Sequence, residues 1–275
     1  MSTSPLTDAG TPRSYFVPID PAHIVVLIPA LNEELRIRDV VQGALAQCPN
    51  IIVVDDGSTD ATLERIADLP VTLIRHSTCM GKGECLRDGF QEAAARGYAG
   101  VLTMDGDGQH SATDIPRLLA AAARYPQRIV IGARLRKRAQ QPKYRRLANE
   151  FGDWGIGCAC GYPLADSQSG QRYYPIVVAA LTDIARDGFV FEADILIQAS
   201  HRLGTRVIAV PIESRYQDAA QAGQFRRSHF RPLRDLYRIT SHTIARVIEH
   251  GHFLEHYRRS RQGHPDIYDD GLAGK

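Results

Sequence analysis

Two aspartates one residue apart, Asp105 and Asp107, flank Gly106 and form the sharpest chemical feature of the sequence. Carboxylates at this spacing can both reach one hard cation. Mg²⁺ or Mn²⁺ held this way keeps open positions for the oxygens of a diphosphate. An acidic turn without a metal is the plain alternative. A second acidic pair opens Asp55-Asp56-Gly57-Ser58-Thr59-Asp60. A carboxylate there can accept from a nucleobase N–H or a ribose hydroxyl, and Ser58 or Thr59 can cap a following helix. Asp, Gly and Ser are also ordinary turn residues. A third polar cluster is Pro29-Ala30-Leu31-Asn32-Glu33.

Each cluster follows a short apolar run. The runs predict strands at 23–28, 51–54, 71–74, 101–104 and 129–131. Helical patterns fall at 34–47, near 60–68, at 82–96 and near 114–125. Short β-branched runs alternating with amphipathic helices imply a mainly parallel sheet covered on both faces. Right-handed crossovers make it an open, doubly wound α/β sheet. Ligands of such sheets sit beyond the carboxyl ends of the strands, where all three polar clusters fall. The main domain is expected over 23–215, after a flexible leader at 1–22 rich in Ser, Thr, Pro and Asp. Helices are predicted at 149–160, 176–185 and 192–203, and a strand at the end of 206–212. Residues 216–230 read as a loop or lid. Leu233, Leu236, Tyr237, Thr240, Ile244, Val247 and Ile248 follow spacings of three and four, which predicts one basic amphipathic helix over 231–262. Residues 263–275 read as a flexible tail.

The ordered set PALNE, VVDDGSTD and MDGDGQH resembles the family 2 glycosyltransferases, which have the nucleotide-diphospho-sugar transferase (GT-A) fold. It looks closest to the branch of dolichyl- and polyprenyl-phosphate mannose synthases. Further segments agree in order: Gly81-Lys82-Gly83, Gly132-Ala133-Arg134, Asp166-Ser167-Gln168-Ser169-Gly170-Gln171-Arg172-Tyr173, and the helix starting Phe191-Glu192-Ala193-Asp194. Gln171 stands where an aromatic is usual. The resemblance implies that Pro29, Leu31 and Glu33 line the base and ribose of a nucleotide. It implies that Val54 and Asp56, with Asp55 beside them, contact uracil or guanine and ribose. Asp105, Gly106 and Asp107 would hold the metal, ribose and diphosphate, with Gln109 near the sugar-phosphate end. Arg134 and Arg172 would neutralise phosphate or fix the acceptor loop. Leu31 replaces a frequent Tyr and Gly106 a common Ala.

Lys82 between glycines invites a phosphate-loop reading, but the Walker pattern lacks its start and its hydroxyl here. The segment is read as a helix start whose N–H groups favour an anion. Seven cations between Ala133 and Asn149 (Arg134, Arg136, Lys137, Arg138, Lys143, Arg145, Arg146) come without an acid among them. They form either a solvated loop or an electropositive funnel for an anionic acceptor such as a lipid phosphate. Residues 226–261 hold nine Arg against three acids. Their amphipathic helix either packs on the main domain or lies on an anionic membrane face. By resemblance, Arg226 or His229 would close over the diphosphate. His110 either orders the turn after the acidic pair or reaches the metal.

The chain of 275 residues has 33 Lys plus Arg, 31 Asp plus Glu and a net charge of +2. That balance argues against a dedicated nucleic-acid binder. No apolar run approaches the roughly 18 residues that mark a membrane span, and no secretory signal opens the chain. Cys48, Cys79, Cys85, Cys158 and Cys160 form no CxxC pair and are read as free thiols of a reducing cytosol. Cytoplasmic placement is expected, with peripheral contact at the cytoplasmic face of a membrane as an option.

The resemblance implies sugar transfer from a UDP- or GDP-sugar with inversion at the anomeric carbon, dependent on Mg²⁺ or Mn²⁺. A lipid-phosphate acceptor, already anionic, needs no base. A hydroxyl acceptor does, and Asp194, then Glu192, are the candidates; both also suit N-terminal helix acids. Asp107 and Gln109 complete the expected catalytic set. Two alternatives stand. A sugar nucleotidyltransferase would place a glycine-rich basic loop after the first strand, where this chain has the acidic PALNEE. A non-enzymatic membrane- or nucleic-acid-binding module would rest on the C-terminal helix alone.

Overall fold

The computed structural model describes residues 19–136, 143–181, 184–185, 188–213, 232–251 and 253–268. Most of the expected leader, the loop or lid at 216–230, and Lys137, Arg138, Arg226 and His229 lie outside them.

The strands among the described residues are β1 (Ile24–Ala30), β2 (Ile51–Asp55), β3 (Thr72–Arg75), β4 (Gly100–Thr103), β5 (Ile129–Ala133), β6 (Arg172–Pro175) and β7 (Val207–Pro211). They form one sheet in the order β3-β2-β1-β4-β6-β5-β7. β6 runs antiparallel to β4 and β5, and every other pairing is parallel. The helices are α1 (Ile37–Leu45), α2 (Lys82–Ala95), α3 (Ile115–Arg124), α4 (Lys143–Cys160), α5 (Ile176–Ala179), α6 (Gly188–Leu203), α7 (Pro232–His250) and α8 (Phe253–Gln262).

Side chains alternate across a strand, so β1 feeds two cores. Val25 and Leu27 join Leu86, Phe90, Phe191 and Ile195 under α2 and α6. Ile24, Val26 and Ile28 join Ile37, Val41, Ile115 and Leu118 under α1 and α3. Both faces are covered, which explains why the central strands read as unbroken apolar runs.

Four elements differ from the sequence pattern. The segment near 60–68 holds only a 3₁₀ turn, Glu64–Ile66. Its polar side chains bind the neighbouring loop instead: Thr62 Oγ1 accepts from Glu33 N at 2.7 Å, and Asp60 Oδ2 accepts from Glu34 N at 3.3 Å. No α-helix therefore follows for Ser58 or Thr59 to cap. The helix expected at 176–185 is one turn, α5. Arg172–Pro175, not anticipated as a strand, enters the sheet reversed. The expected helix over 231–262 is broken at Gly251, whose φ of 67° is left-handed, into α7 and α8.

α7 packs on α6 and α4, and α8 on α4. Ile239 and Thr243 of α7 are buried, while Ile244 and Ile248 face outward. Part of the expected tail is docked: Ala209 N of β7 donates to Asp266 O and Tyr268 N donates to Ala209 O, both at 2.8 Å. The pairing satisfies backbone groups of an edge strand. Asp266 also pairs with Arg128 and Arg206.

Candidate active site

The loops after β1 and β2 are stitched into one wall. Asn32, in the left-handed region at φ 55°, accepts from Thr59 N at 2.8 Å, and its own N–H donates to Ser58 Oγ at 2.8 Å. Asn is among the few non-glycine residues that tolerate this geometry. Pro29, Leu31 and Glu33 stay partly exposed along this wall. Val54 does not: its side chain is fully buried in the core, so it offers a ligand no side-chain contact. Asp55 is fully buried too, and accepts from Ser58 N at 3.2 Å, which shapes the turn. Asp56 is 4% exposed and both its oxygens are occupied. Met80 N and Gly81 N donate to it at 2.7 and 2.8 Å, His76 Nδ1 lies at 2.8 Å and Cys79 Sγ at 3.1 Å. Burial opposes ionisation of Asp56, but His76 and the backbone N–H groups outweigh it and hold the carboxyl below its ordinary range. In this conformation both acids build the loops rather than present free carboxylates to a nucleoside, which corrects the role expected for them.

Asp105 and Asp107 lie just beyond β4, on the same sheet edge. Gly106 between them leaves no room to spare: a Cβ there would meet Pro29 O at 3.2 Å. Lys82, at the start of α2, places Nζ 2.7 Å from Asp105 Oδ1 and 3.2 Å from Glu192 Oε1 of α6. His110 Nε2 stands 3.6 Å from Asp105 Oδ2. Asp107 accepts from Gln109 N at 2.9 Å. The two aspartates are pushed apart in acidity. Burial raises the Asp105 carboxyl, but Lys82 and His110 overcome it and hold it far below the ordinary range. Burial and then the Asp105 charge push Asp107 up. Lys82 is held protonated well above its usual range, its carboxylate partners outweighing burial. Two crowded carboxylates, one strained toward its protonated form by the other, are a donor set that a hard divalent cation would relieve. The residues therefore fit a hard divalent cation such as Mg²⁺ or Mn²⁺, which Asp105 and Asp107 could hold.

The segment from Asp166 to Arg172 forms the floor. Asp153 of α4 accepts from Asp166 N at 2.8 Å and Ser167 N at 2.7 Å, with its carboxyl pushed up to about 6, chiefly by burial. Arg134 grips Asp166 with two parallel bonds, Nε to Oδ2 at 2.7 Å and Nη2 to Oδ1 at 2.6 Å. Arg172 is completely buried. Its guanidinium donates to Ser169 O at 2.6 Å, Ser167 O at 2.7 Å and Glu192 O at 2.8 Å. It cannot meet a phosphate, so of the two roles open to it only loop fixing survives, and Arg134 is committed in the same way. This floor brings Gly170 against the acidic pair: a Cβ on Gly170 would lie 2.4 Å from Asp105 Oδ2.

Glu192 and Asp194 part company. Glu192 reaches Lys82, which also holds Asp105. Asp194, fully buried, accepts from Arg246 Nε at 2.8 Å, Arg246 Nη2 at 3.0 Å and Ala185 N at 2.8 Å, with His242 Nε2 at 2.9 Å. Burial raises its carboxyl, yet His242, Arg246 and the Ala185 N–H hold it at about 2. A carboxylate this weakly basic, closed to solvent, is no general base, so Asp194 is withdrawn from the catalytic set. It clasps α6 to α7. Sequence reasoning missed Gly170 as a spacer for Asp105, and Asp153 and His76 as loop holders. Gly170 stood in a quoted segment; nothing local marks the other two.

Residues 25–174 match the family described as Glycosyl transferase family 2. The chain is 30% identical over 207 residues to an undecaprenyl-phosphate mannosyltransferase of Micrococcus luteus, covering 69% of this chain and 82% of that one. It is 31% identical over 173 residues to a UDP-N-acetylglucosamine–dolichyl-phosphate N-acetylglucosaminyltransferase of Methanococcus voltae, covering 55% and 68%. Among solved structures it is similar in fold to glucosyl-3-phosphoglycerate synthase from Mycobacterium tuberculosis, crystallised with UDP. That likeness has a TM-score of 0.57 and 22% identity over 87% of this chain and 82% of the other. A further crystal of that synthase contains Mn²⁺, UDP and phosphoglyceric acid.

Proposed function

As the chain belongs to glycosyl transferase family 2 and is a glycosyltransferase of GT-A fold, we propose that it moves a sugar, with inversion, from a UDP- or GDP-sugar to a phosphate-bearing acceptor, dependent on Mg²⁺ or Mn²⁺. The observation that carries this reading is the convergence of Asp105, Asp107, Lys82 and Glu192 at the carboxyl edge of the sheet.

The nucleoside lies along Pro29, Leu31 and Glu33, with the diphosphate toward Asp105 and Asp107. A bound Mg²⁺ or Mn²⁺ would offset the negative charge growing on the leaving diphosphate. Lys82 keeps Asp105 ionised and adds a fixed cation beside the same oxygens. Gln109 follows Asp107 toward the sugar. An acceptor phosphate is already anionic and attacks without a base. The relatives named for undecaprenyl and dolichyl phosphate support a polyprenyl phosphate. A hydroxyl acceptor is the second reading, favoured by one observation: Glu192 faces the site and could take its proton.

No helix of the described residues is long and apolar enough to cross a membrane. An outward apolar face exists nonetheless. Leu147, Phe151 and Trp154 of α4 are exposed at helical spacing, Trp154 meets Tyr257 of α8 edge-on, and Leu254, three residues before Tyr257 on α8, is exposed. With Arg258, Arg259 and Arg261 on α8, this face suits peripheral contact with an anionic cytoplasmic membrane surface.

A thermal-shift panel of UDP- and GDP-sugars with and without Mn²⁺ tests the donor and metal. Ligand at a hundredfold its Kd stabilises by about 2.7 kcal/mol. No metal-dependent rise with any nucleotide sugar would overturn the reading. Incubation with labelled donor and either polyprenyl phosphate or a soluble phosphate then separates the acceptors.

A further inference from the structure

Behind the wall formed by the β1 and β2 loops lies a second cluster, made of softer donors. Asp56, His76 and Cys85 are all buried, and one ligand atom from each lies within 4.8 Å of the others. Cys85 Sγ is 4.0 Å from His76 Nδ1. Cys79, exposed, places Sγ 3.1 Å from Asp56 Oδ2 on the outer side. The four residues come from three elements: the end of β2, the loop after β3, and the first turn of α2.

We propose that Asp56, His76, Cys79 and Cys85 form a binding site for a soft divalent ion of the Zn²⁺ type, separate from the Asp105–Asp107 pair. Two thiolates, an imidazole and a carboxylate are a donor set that zinc takes tetrahedrally, whereas Mg²⁺ prefers oxygens alone. The supporting shell is already in place. Asp88 Oδ2 lies 2.9 Å from His76 Nε2, which fixes the ring with Nδ1 turned inward. Met80 N and Gly81 N steady the Asp56 carboxylate. Carboxylates and N–H groups in those positions orient metal ligands.

Among Asp56, His76 and Cys85, whose ligand atoms already lie within 4.8 Å of one another, the changes needed are small. Zinc bonds of about 2.0 Å to nitrogen and 2.3 Å to sulfur put tetrahedral ligands roughly 3.3–3.8 Å apart. The Asp56–His76 contact of 2.8 Å must open, and the His76–Cys85 contact of 4.0 Å must close, by about half an ångström each. On binding, the two thiol protons and the proton between His76 and Asp56 leave to solvent. The metal takes over bridging that protons now perform. Exposed Cys79 marks the entry side. An ion here pins the 76–85 segment that carries Lys82.

The test uses the full chain, reduced, stripped with chelator and titrated with Co²⁺ in the absence of nucleotide, so its result is independent of sugar transfer. One Co²⁺ per chain is expected to give a thiolate-to-cobalt charge-transfer band that Zn²⁺ removes stoichiometrically and Mg²⁺ does not. Cys85→Ser weakens the band, and Cys79→Ser/Cys85→Ser abolishes it. Asp105→Asn/Asp107→Asn keeps it. In the unmutated chain, Zn²⁺ slows alkylation of Cys79 by about tenfold or more, which guards against misfolded variants. Absence of a thiolate band in the unmutated chain, or a band that survives Cys79→Ser/Cys85→Ser, would overturn the site.

Discussion

In an Asp194→Asn chain, the carboxylate that receives Arg246 and the Ala185 N–H becomes a neutral amide. A carboxyl held at about 2 instead of the ordinary 3.8 contributes about 2 kcal/mol at neutral pH, at roughly 1.4 kcal/mol per pKa unit. Truncating a fully buried pair costs about 3–5 kcal/mol. Arg246 keeps an outlet in Glu249, 2.6 Å from its Nη1, so the lower figure applies. For a chain of this size each kcal/mol moves Tm by roughly 2–4 °C, so about 4–8 °C is expected. The sign follows from a depressed folded-state pKa: the contribution is complete above 3.8 and is lost as pH falls through about 2, so the two proteins converge in stability on acidification. The assay pairs calorimetry at neutral pH with donor turnover measured well below both midpoints. A lower Tm with turnover retained within an order of magnitude supports the clasp. Loss of a general base costs about 10²–10⁴-fold; such a collapse with Tm unchanged would refute the reasoning and return Asp194 to the catalytic set.

Asp105→Asn/Asp107→Asn should erase the metal-dependent part of nucleotide-sugar stabilisation, read as the difference in Tm with and without Mn²⁺. Gly170→Ala drives a methyl into the Asp105 carboxylate; overpacking of about 1–3 kcal/mol predicts roughly a tenfold weaker Mn²⁺ affinity by calorimetric titration, with an unchanged circular dichroism spectrum. Lys82→Met leaves Asp105 and Glu192 without their shared cation, so Mn²⁺ should bind more tightly in the absence of donor while turnover falls; weaker Mn²⁺ binding would contradict the counter-charge role. Because burial and Asp105 hold the Asp107 carboxyl above its ordinary range, Mn²⁺ affinity should fall as pH drops through that raised value. Asp105→Asn should move the fall to lower pH in the same titration.

The strand–turn–helix alternation and the three polar clusters were legible because both signals are local. Apolar periodicity marks strands and helices within a few residues, and Gly, Asp and Ser mark the turns between them. That sufficed to put Asp55–Asp56 and Asp105–Asp107 on one sheet edge and to read the fold class. The reversal of β6 was not legible, since Arg172–Pro175 owes its direction to where the preceding loop re-enters the sheet. The single helix expected over 231–262 failed for a smaller reason: an apolar stripe does not report one left-handed glycine within it.

Roles within the clusters needed the tertiary structure. Glu192 and Asp194 are two residues apart on α6, about 200° around the helix, so they face nearly opposite ways. Only the packing of α6 between α2 and α7 decides that Glu192 meets Lys82 and Asp194 meets Arg246. Arg134 and Arg172 look alike as cations near a phosphate site, but burial commits one to Asp166 and the other to backbone carbonyls. Asp56 finds His76 20 residues on, and His76 finds Cys85 a further 9 on, by way of β3 and α2. By itself the sequence determined which chemistries could assemble at the sheet edge, because turn chemistry and periodicity are local. Only the fold decided which charges remain open to a ligand, because desolvation and pairing depend on neighbours far away in the chain.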